Sequence, residues 1–296
     1  MDNFRPLSLE DKPLFDKYIK VSDISSNFSS FGTMFSWRKQ YPVLFLEKDN
    51  NLILKYDSEE SIYIFPLGER NKAAIDFILN SEEDKPFEIT NIEEKDKIFL
   101  EENYPDKFEF STDMNIWDYV YSFEKLSELK GRKLSSKRNH INKFLLKYPD
   151  YKYEKISEEN IDDCYKMSLE WCRLNDCGRS ESLKNEACAV KEYFKYYKEL
   201  NMVGGLIKAD DKVIAFTFGE ELNDDMFVVH VEKAFYDIDG AYPIINRDFV
   251  KNELSRYKWI NREEDMGSEG LRKAKNSYYP DFMIKKYTAV LKKEDK

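Results

Sequence analysis

Two short segments of the chain carry polar side chains at alternating positions. His230 and Glu232 alternate within MFVVHVEK. Asn261, Glu263 and Asp265 alternate within WINREED. Alternate side chains of an extended strand lie on one face, so each set is predicted to share a face. An imidazole and carboxylates held together can move protons to and from a reacting group, although the same pattern also suits a strand end whose charges are solvated.

A predicted helix between the two segments would bring them together. GAYPIINRDFVKNEL has a helical apolar stripe that includes Ile245 and Phe249. A strand–helix–strand unit places its two strands in parallel, and ligands of open α/β sheets bind beyond the carboxyl ends of such strands. The polar cluster is therefore predicted to be functional. Glu232 or Glu263 is the candidate general base, and His230 is the next candidate.

The helix predicted after WINREED begins with the features of an anion site. Gly267 and Gly270 flank its start, and Ser268 is the predicted N-cap. Arg272 and Lys275 follow within two turns, where the partial positive charge of a helix N-terminus disfavours cations. A bound anion would offset that charge, and glycine lets an anion approach the backbone closely. The alternative is that these cations pair with the acids just upstream.

A second basic segment, KGRKLSSKRNHINKF, also predicts a helix. Its apolar stripe, extended backwards, reaches Lys137 and Arg138, which are therefore expected to face inwards at a helix start capped by Ser135 or Ser136. Two inward cations suit a phosphate, a carboxylate or an acidic cluster, and a solvated helix face is the alternative. Tyr278 is the candidate proton donor to a leaving group, with core packing as its alternative.

Composition limits the classes of partner. The 296 residues include 47 Lys+Arg and 57 Asp+Glu, a net charge of −10, so no general attraction for DNA or anionic membranes is expected. Hydrophobic residues make up 42% of the chain, which is enough for a packed core. The four cysteines form no CxxC pair and there are two histidines, so reduced cysteines and no metal site are predicted. No stretch predicts a leader or a membrane span, which indicates a cytoplasmic protein.

The order of predicted elements occurs twice along the chain. Each half reads helix, helix, three antiparallel strands, helix, strand, helix, strand, with Asp49-Asn50 as a hairpin turn in the first half. This order predicts an α/β (α+β) protein with two tandem domains, residues 1–125 and 126–296. The polar side chains of MFVVHVEK and WINREED lie in the second half. The site is therefore expected there, and the first half is expected to be structural.

Three long motifs resemble one protein family. HVEKAFYDIDGAYPIINRDF, WINREEDMGSEGLRKAKNSYYP and KGRKLSSKRNHINKFLLKYP are similar to the phosphatidylglycerol lysyltransferase C-terminal-domain family, and in particular to its stand-alone bacterial branch. The resemblance covers nearly the whole chain. It implies two tandem GNAT-like (acyl-CoA N-acyltransferase-like) domains, each a mixed sheet flanked by helices, akin to Fem-type aminoacyl transferases.

The resemblance also implies where a donor would enter. In GNAT-like folds the fourth and fifth strands splay apart around the acyl donor, and those strands correspond here to MFVVHVEK and KWINREE. The pyrophosphate loop of acetyl-CoA enzymes, Q/R-x-x-G-x-G/A, corresponds to YDIDGAY, whose acids disfavour acetyl-CoA. The residues predicted to bind substrate or donor are Lys137, Arg138, Tyr242, Asn261, Asp265, Gly267, Gly270, Arg272 and Lys275.

Two functions from different classes follow from these observations. The first is an acyl or aminoacyl transferase that acts on an amine or hydroxyl acceptor, with acyl-CoA or aminoacyl-tRNA as the donor. The second is a non-catalytic GNAT-like module that binds a small anionic metabolite or a protein partner in the same cleft. General RNA binding is disfavoured by the acidic net charge.

Overall fold

The structure is a computed structural model that describes residues 4–82 and 85–292. Two seven-stranded mixed sheets, each flanked by helices, make up its architecture. The helices are α1 (Lys12–Ser22), α2 (Phe31–Ser36), α3 (Lys72–Ser81), α4 (Glu94–Asn103), α5 (Phe123–Glu128), α6 (Ser135–Lys147), α7 (Ile161–Leu174), α8 (Glu181–Lys195), α9 (Ala241–Glu253) and α10 (Glu269–Asn276). The strands are β1 (Arg5–Pro6), β2 (Val43–Lys48), β3 (Asn51–Tyr56), β4 (Ser61–Gly68), β5 (Phe87–Ile92), β6 (Phe108–Thr112), β7 (Asp118–Ser122), β8 (Lys152–Lys155), β9 (Val203–Ala209), β10 (Lys212–Asn223), β11 (Met226–Ala234), β12 (Trp259–Asn261), β13 (Phe282–Ile284) and β14 (Tyr287–Leu291).

The two sheets repeat one strand order. The first sheet runs β1-β2-β3-β4-β5-β14-β6, and the second, read from its opposite edge, runs β8-β9-β10-β11-β12-β7-β13. In both sheets the strands at the fourth and fifth positions are parallel and are connected by a helix, which is α3 in the first sheet and α9 in the second. This repeated order confirms the predicted tandem of two GNAT-like α/β domains.

The sixth position of each sheet is filled from the other half of the sequence. β14, close to the C-terminus, pairs with β5 and β6, whereas β7 pairs with β12. The compact units are therefore discontinuous: one comprises the described parts of 1–118, 264–267 and 283–296, and the other comprises 119–263 and 268–282. This partition differs from bounds drawn at 125 and 126, because the strands β7 and β14 have exchanged sheets.

Predicted turns agree with the backbone. Asp49 and Asn50 both have left-handed φ angles, 50° and 59°, which closes the β2–β3 hairpin as the sequence predicts. Asp210 and Asp211, with φ of 50° and 59°, close the β9–β10 hairpin in the same way. The core of the first unit contains fully buried residues such as Ile53 from β3, together with residues of α3, β5 and β14.

Three local predictions differ from the structure. The predicted order of the second half ends in one strand, at FMIKKYTAVL, but this segment forms two short strands, β13 and β14, in different sheets. The N-cap of α6 is Leu134, without a side-chain cap, because the hydroxyl of Ser135 donates to the Arg132 carbonyl at 2.7 Å. The second helix predicted in the first half, over SSNFSSFGTMFSWRKQY, is limited to α2 and is preceded by a 3₁₀ turn over Asn27–Ser29.

The cysteines are not all reduced. Cys172 and Cys177 form a disulfide with a Cα–Cα distance of 5.2 Å, which contradicts the prediction of four free thiols. Cys164 is free and buried, and Cys188 is free and exposed. None of the helices formed by the described residues combines the length and hydrophobicity needed to cross a bilayer.

Candidate functional site

The parallel strands β11 and β12 separate soon after they meet. They pair only at Met226–Trp259, Phe227–Ile260 and Val228–Asn261, yet β11 continues to Ala234. β12 ends at Asn261, so the second half of β11 faces an opening in the sheet. This opening lies where a GNAT-like fold is expected to splay, and the polar residues of both segments lie beside it.

β11 contains an irregularity at the opening. In the ladder with β10, Phe218 pairs with Val231 and Gly219 pairs with Val229. His230 is thereby left without a partner in the ladder, which is the pattern of a β-bulge. A bulge interrupts the alternation of side chains, because the extra residue shifts everything after it by one position.

The bulge separates two residues that were predicted to share a face. His230 stacks on Tyr193 of α8, with ring centroids 5.0 Å apart. Glu232 instead accepts a hydrogen bond from the side-chain amide of Asn246, on α9, at 2.9 Å. The strand pattern alone could not reveal this, since it assumes a regular strand.

His230 is enclosed by two carboxylates. Its side chain is 1% exposed, with Nε2 3.0 Å from Glu220 and Nδ1 2.8 Å from Glu263. Burial by itself would lower the pKa of His230, but hydrogen bonds to Glu220 and Glu263 raise it to about 9. The imidazole is therefore a cation at neutral pH and donates through both nitrogens. We call Glu220, His230 and Glu263 the His230 triad.

The backbone turns immediately after β12. The side-chain oxygen of Asn261 accepts from the Glu263 amide at 2.7 Å, and Glu263 has a left-handed φ of 57°. The predicted extended run of Asn261, Glu263 and Asp265 on one face is therefore wrong, because the strand ends at its first member. Asp265 is buried in the first compact unit, where its carboxylate accepts from the Gly267 amide at 2.9 Å.

A second polar cluster is centred on Arg262. Its guanidinium lies 2.8 Å from the Glu232 carboxylate, and both side chains are about nine-tenths buried. The ring of Tyr278 lies 4.8 Å from the Arg262 Cζ and 4.1 Å from the Lys137 Nζ. We call Lys137, Glu232, Asn246, Arg262 and Tyr278 the Arg262 cluster.

Lys137 has an unusual electrostatic environment. It is half-buried in the first turn of α6, as the helical stripe predicts. Burial and the nearby Arg262 charge lower the pKa of Lys137 to about 8, with Glu232 acting in the opposite direction. Burial also raises the pKa of Tyr278, so its phenol keeps its proton. The cluster thus combines a weakly basic amine with a permanent cation.

Buried polar atoms around Glu232 have unused hydrogen-bonding capacity. Among the described residues, Arg262 Nη1, Asn246 Oδ1 and Thr217 Oγ1 are buried and have no hydrogen-bond partner. Thr217 is the cross-strand neighbour of Glu232 on β10. Leaving such a group unsatisfied costs roughly 1–3 kcal/mol, so three at one place indicate a position for a ligand or solvent.

Other predicted donor-binding residues have local structural contacts. The Arg138 guanidinium donates to the carbonyls of Leu129 and Gly131 and so closes the connection between α5 and α6. Tyr242, at the start of α9, accepts from the Trp171 indole at 3.3 Å.

The helix α10 has the predicted cap. The Ser268 hydroxyl accepts from the Leu271 amide at 3.4 Å. Gly270 lies in the first turn, where an added Cβ would lie 3.9 Å from the Ser268 hydroxyl oxygen. Arg272 and Lys275 are half-buried, and the Lys275 carbonyl accepts from the Tyr121 hydroxyl at 2.8 Å. α10 is therefore anchored to β7 within the second unit.

The first unit contains a buried charge cluster that the sequence did not predict. Lys286 is fully buried, with its ammonium 2.6 Å from the Asp118 carboxylate and 3.5 Å from Glu264. The ammonium also donates to the side chain of Asn27 and lies 3.6 Å from the ring centroid of Phe28. The acids of WINREED thus divide between two partners, since Glu263 pairs with His230 and Glu264 with Lys286.

Two members of the Arg262 cluster were missed. Arg262 lies between Asn261 and Glu263, so an extended strand would place it on the opposite face from them, although a basic residue directly before three acids was a visible signal. Asn246 lies one helical turn after Tyr242 on a stripe that is otherwise apolar, and a polar residue in that position was the available signal. Within the described residues, no group of three or more His, Cys, Asp or Glu side chains is arranged to hold a metal ion.

Comparisons with known proteins agree with the resemblance noted in the sequence. A solved structure of a conserved protein of unknown function from Bacteroides thetaiotaomicron is 37% identical and has a TM-score of 0.93, over 99% of this chain and 100% of that chain. L-PGS from Bacillus licheniformis shares the fold at 15% identity, with a TM-score of 0.66 over 96% of this chain and 93% of that chain.

One curated relative also matches. An uncharacterised protein of Mycoplasmoides gallisepticum is 28% identical over 177 residues, or 57% of this chain. The match spans about half of that relative's length, 54%. The sequence profile described as "Phosphatidylglycerol lysyltransferase, C-terminal" matches residues 22–290. The chain therefore belongs to the phosphatidylglycerol lysyltransferase C-terminal family.

Proposed function

We propose that the protein transfers an acyl or aminoacyl group from a carrier to an amine or hydroxyl acceptor, at the Arg262 cluster. The observation that carries this proposal is the set of unpartnered atoms beside the opening between β11 and β12: Arg262 Nη1, Asn246 Oδ1 and Thr217 Oγ1. A buried guanidinium nitrogen without a partner is suited to an oxyanion, which carries charge only while the reaction proceeds.

Lys137 is the proposed general base. The acceptor N–H or O–H attacks the carbonyl carbon of the donor, and the neutral amine of Lys137 takes the proton. The negative charge that develops on the carbonyl oxygen is held by Arg262 Nη1. When the bond between the carbonyl carbon and the carrier breaks, the Lys137 ammonium returns the proton to the leaving atom.

The remaining candidates take supporting roles in this proposal. Glu232 orients Arg262, because its carboxylate lies 2.8 Å from the guanidinium in a buried ion pair. His230 carries a positive charge between two carboxylates and does not act as the base. Tyr278 provides the ring between the two cations and is the alternative proton donor to the leaving atom.

The loop YDIDGAY supports an aminoacyl carrier over acetyl-CoA. Its Asp239 carboxylate contacts His140 and lies 3.7 Å from the Lys143 ammonium, both on α6. A Cβ on Gly240, where φ is 87°, would lie 2.4 Å from the His140 carbonyl oxygen, so the loop packs tightly against that helix. Both the acid and the close packing disfavour a pyrophosphate at this position.

A donor screen tests the proposal. The protein is incubated separately with aminoacyl-tRNA and with acyl-CoAs, in the presence of a mixture of simple amines and alcohols, and release of the free carrier is measured. Acceptor-dependent release from one donor class supports the transferase. Stabilisation of the fold by a donor or by a small anionic metabolite, without any release, supports the non-catalytic module instead. Lys198→Gln, which removes an exposed ion pair with Glu158, serves as a control that leaves release unchanged.

A further inference from the structure

A cavity in the second unit lies outside the Arg262 cluster. It has a volume of about 400 Å³ and opens between α7 and α8. Small-molecule sites typically enclose roughly 300–1,000 Å³, so this cavity has the size of a ligand site. Its lining is largely apolar and includes Tyr165, Leu169, Trp171, Leu183, Ala187 and Val190.

The polar part of the cavity is dominated by lysine. Lys233 of β11 is 8% exposed, and its ammonium lies 3.7 Å from the centroid of the Trp171 ring. Lys184 and Lys191 also line the cavity, whereas Glu186 is its only lining carboxylate among the described residues. Three ammonium groups and one carboxylate leave the cavity with an excess of positive charge.

The carboxylate of Glu186 occupies the position beside the Lys233 ammonium that a ligand carboxylate would take. Its carboxylate lies 2.5 Å from the Lys233 ammonium, although its side chain is 36% exposed. A glutamate side chain that is about one-third exposed can turn towards solvent at little cost, whereas the buried ammonium needs an anionic partner. A ligand carboxylate that entered the cavity would therefore take the place of Glu186.

We propose that the cavity between α7 and α8 binds an alkyl chain that ends in a carboxylate. The chain packs against Trp171, Leu183 and Val190, and the carboxylate replaces Glu186 at Lys233. This site goes beyond the proposed transfer reaction, because it lies on the α7–α8 side of β11 whereas Glu232 contacts α9.

Cys188 provides a direct measure of occupancy. It lines the cavity and is the exposed free cysteine, while Cys164 is buried and the other two form the disulfide. We expect decanoate to slow the alkylation of Cys188 by iodoacetamide, with decanol protecting about tenfold less well and decylammonium not at all. Equal protection by decanol, or no protection by decanoate, would overturn the proposal.

Three variants test the assigned contacts by titration calorimetry with decanoate. Glu186→Gln is expected to bind about tenfold more tightly because it removes the internal competitor, whereas Lys233→Gln is expected to bind at least tenfold more weakly. Ala187→Leu adds bulk to the cavity lining and is expected to weaken binding at least tenfold. Lys198→Gln, which removes an exposed ion pair with Glu158 and does not alter the cavity lining, is the control and leaves binding unchanged.

The experiment distinguishes loss of binding from loss of folding. Thermal melting identifies a variant that does not fold, and the comparison of decanoate with decanol uses the unaltered protein. Unchanged binding in a folded Ala187→Leu protein, or weaker binding in Glu186→Gln, contradicts the proposal.

Discussion

At the scale of single residues, position and environment separate side chains of similar chemistry. Glu232 and Glu263 are both acids beside the opening in the sheet, but one is paired with a guanidinium and the other with an imidazole. Their residue types and approximate location were predicted from the sequence. Their partners were not, because a hydrogen-bond partner is set by the geometry of several strands together.

The charge of His230 can be measured directly. The chain has two histidines, so NMR of isotope-labelled imidazole gives two titration curves. The curve that disappears in the His140→Gln variant belongs to His140, and the other belongs to His230. We expect His230 to titrate near pH 9, since its two carboxylate partners favour the charged form. Glu220→Gln should lower this pKa, and a His230 titration below pH 6.5 in the unaltered protein would contradict the triad.

The same group gives a stability prediction with a defined sign. A pKa raised from 6.5 to about 9 on folding stabilises the native state fully below pH 6.5, and this contribution is lost as the pH rises through 9. Its size is on the order of 3 kcal/mol. Chemical denaturation at pH 6 and at pH 9.5 measures the loss. His230→Gln should remove most of this pH dependence of stability. An unchanged pH dependence in that variant would show that His230 is not its source.

Lys137 makes a prediction for the pH dependence of the proposed reaction. A base must be neutral to accept a proton, so the transfer rate should rise with pH through about 8, the pKa of Lys137. Lys137→Arg keeps the charge but cannot act as a base, and the rate should fall by roughly 10²–10⁴-fold. Pre-steady-state release of the carrier measures both the pH dependence and the rate of the Lys137→Arg variant. A folded Lys137→Arg protein with the full rate would assign the base elsewhere.

At the scale of elements, regular patterns were predicted and irregular ones were not. Alternation and helical periodicity gave β11, α9 and β12 in the right order and correctly predicted that the two strands are parallel. The bulge at His230 and the turn after Asn261 were not predicted. Both depend on how one strand pairs with its neighbours, which local periodicity does not encode.

Gly219 is the residue of β10 that allows close pairing at the bulge. A Cβ there would lie 1.8 Å from the Val228 carbonyl oxygen. We expect Gly219→Ala to lower the free energy of unfolding by about 3 kcal/mol, since a backbone atom cannot move aside as a side chain can. Denaturant unfolding measures this change.

Gly270 is the matched control for Gly219. The nearest atom to its added Cβ is 3.9 Å away, and it lies in the first turn of α10. Gly270→Ala should be neutral or stabilising by up to about 1 kcal/mol, because alanine favours a helix. Similar destabilisation by both substitutions would count against a specific role of the β10–β11 contact.

At the scale of the whole molecule, the sequence predicts the repeat but not the exchange of strands. DYVYS of β7 and YTAVL of β14 are both short apolar strands that close their half of the sequence. Nothing local distinguishes pairing within one half from pairing with the other half. The exchange is therefore a property of long-range pairing, and it is why contiguous domain bounds differ from the compact units.

The position of β14 can be tested with one buried residue. Ala289 is fully buried and pairs with Ile89 of β5 and Phe110 of β6. Ala289→Asp would place an unpaired carboxylate in the core of the first unit, so backbone amides of β5 and β6 should lose protection from hydrogen exchange. Loss of protection confined to β9, β10 and β11 would instead place β14 in the second sheet.

The proposed transfer at the Arg262 cluster is tested most directly by single-turnover release of the carrier in Arg262→Lys. This variant keeps the charge beside Glu232 but removes the unpartnered Nη1. With the donor identified by the screen, we expect the rate to fall by roughly 10²–10³-fold, the usual effect of removing one oxyanion donor. Arg256→Gln, at an exposed site, should retain the full rate. A folded Arg262→Lys protein that also retains the full rate would contradict the account.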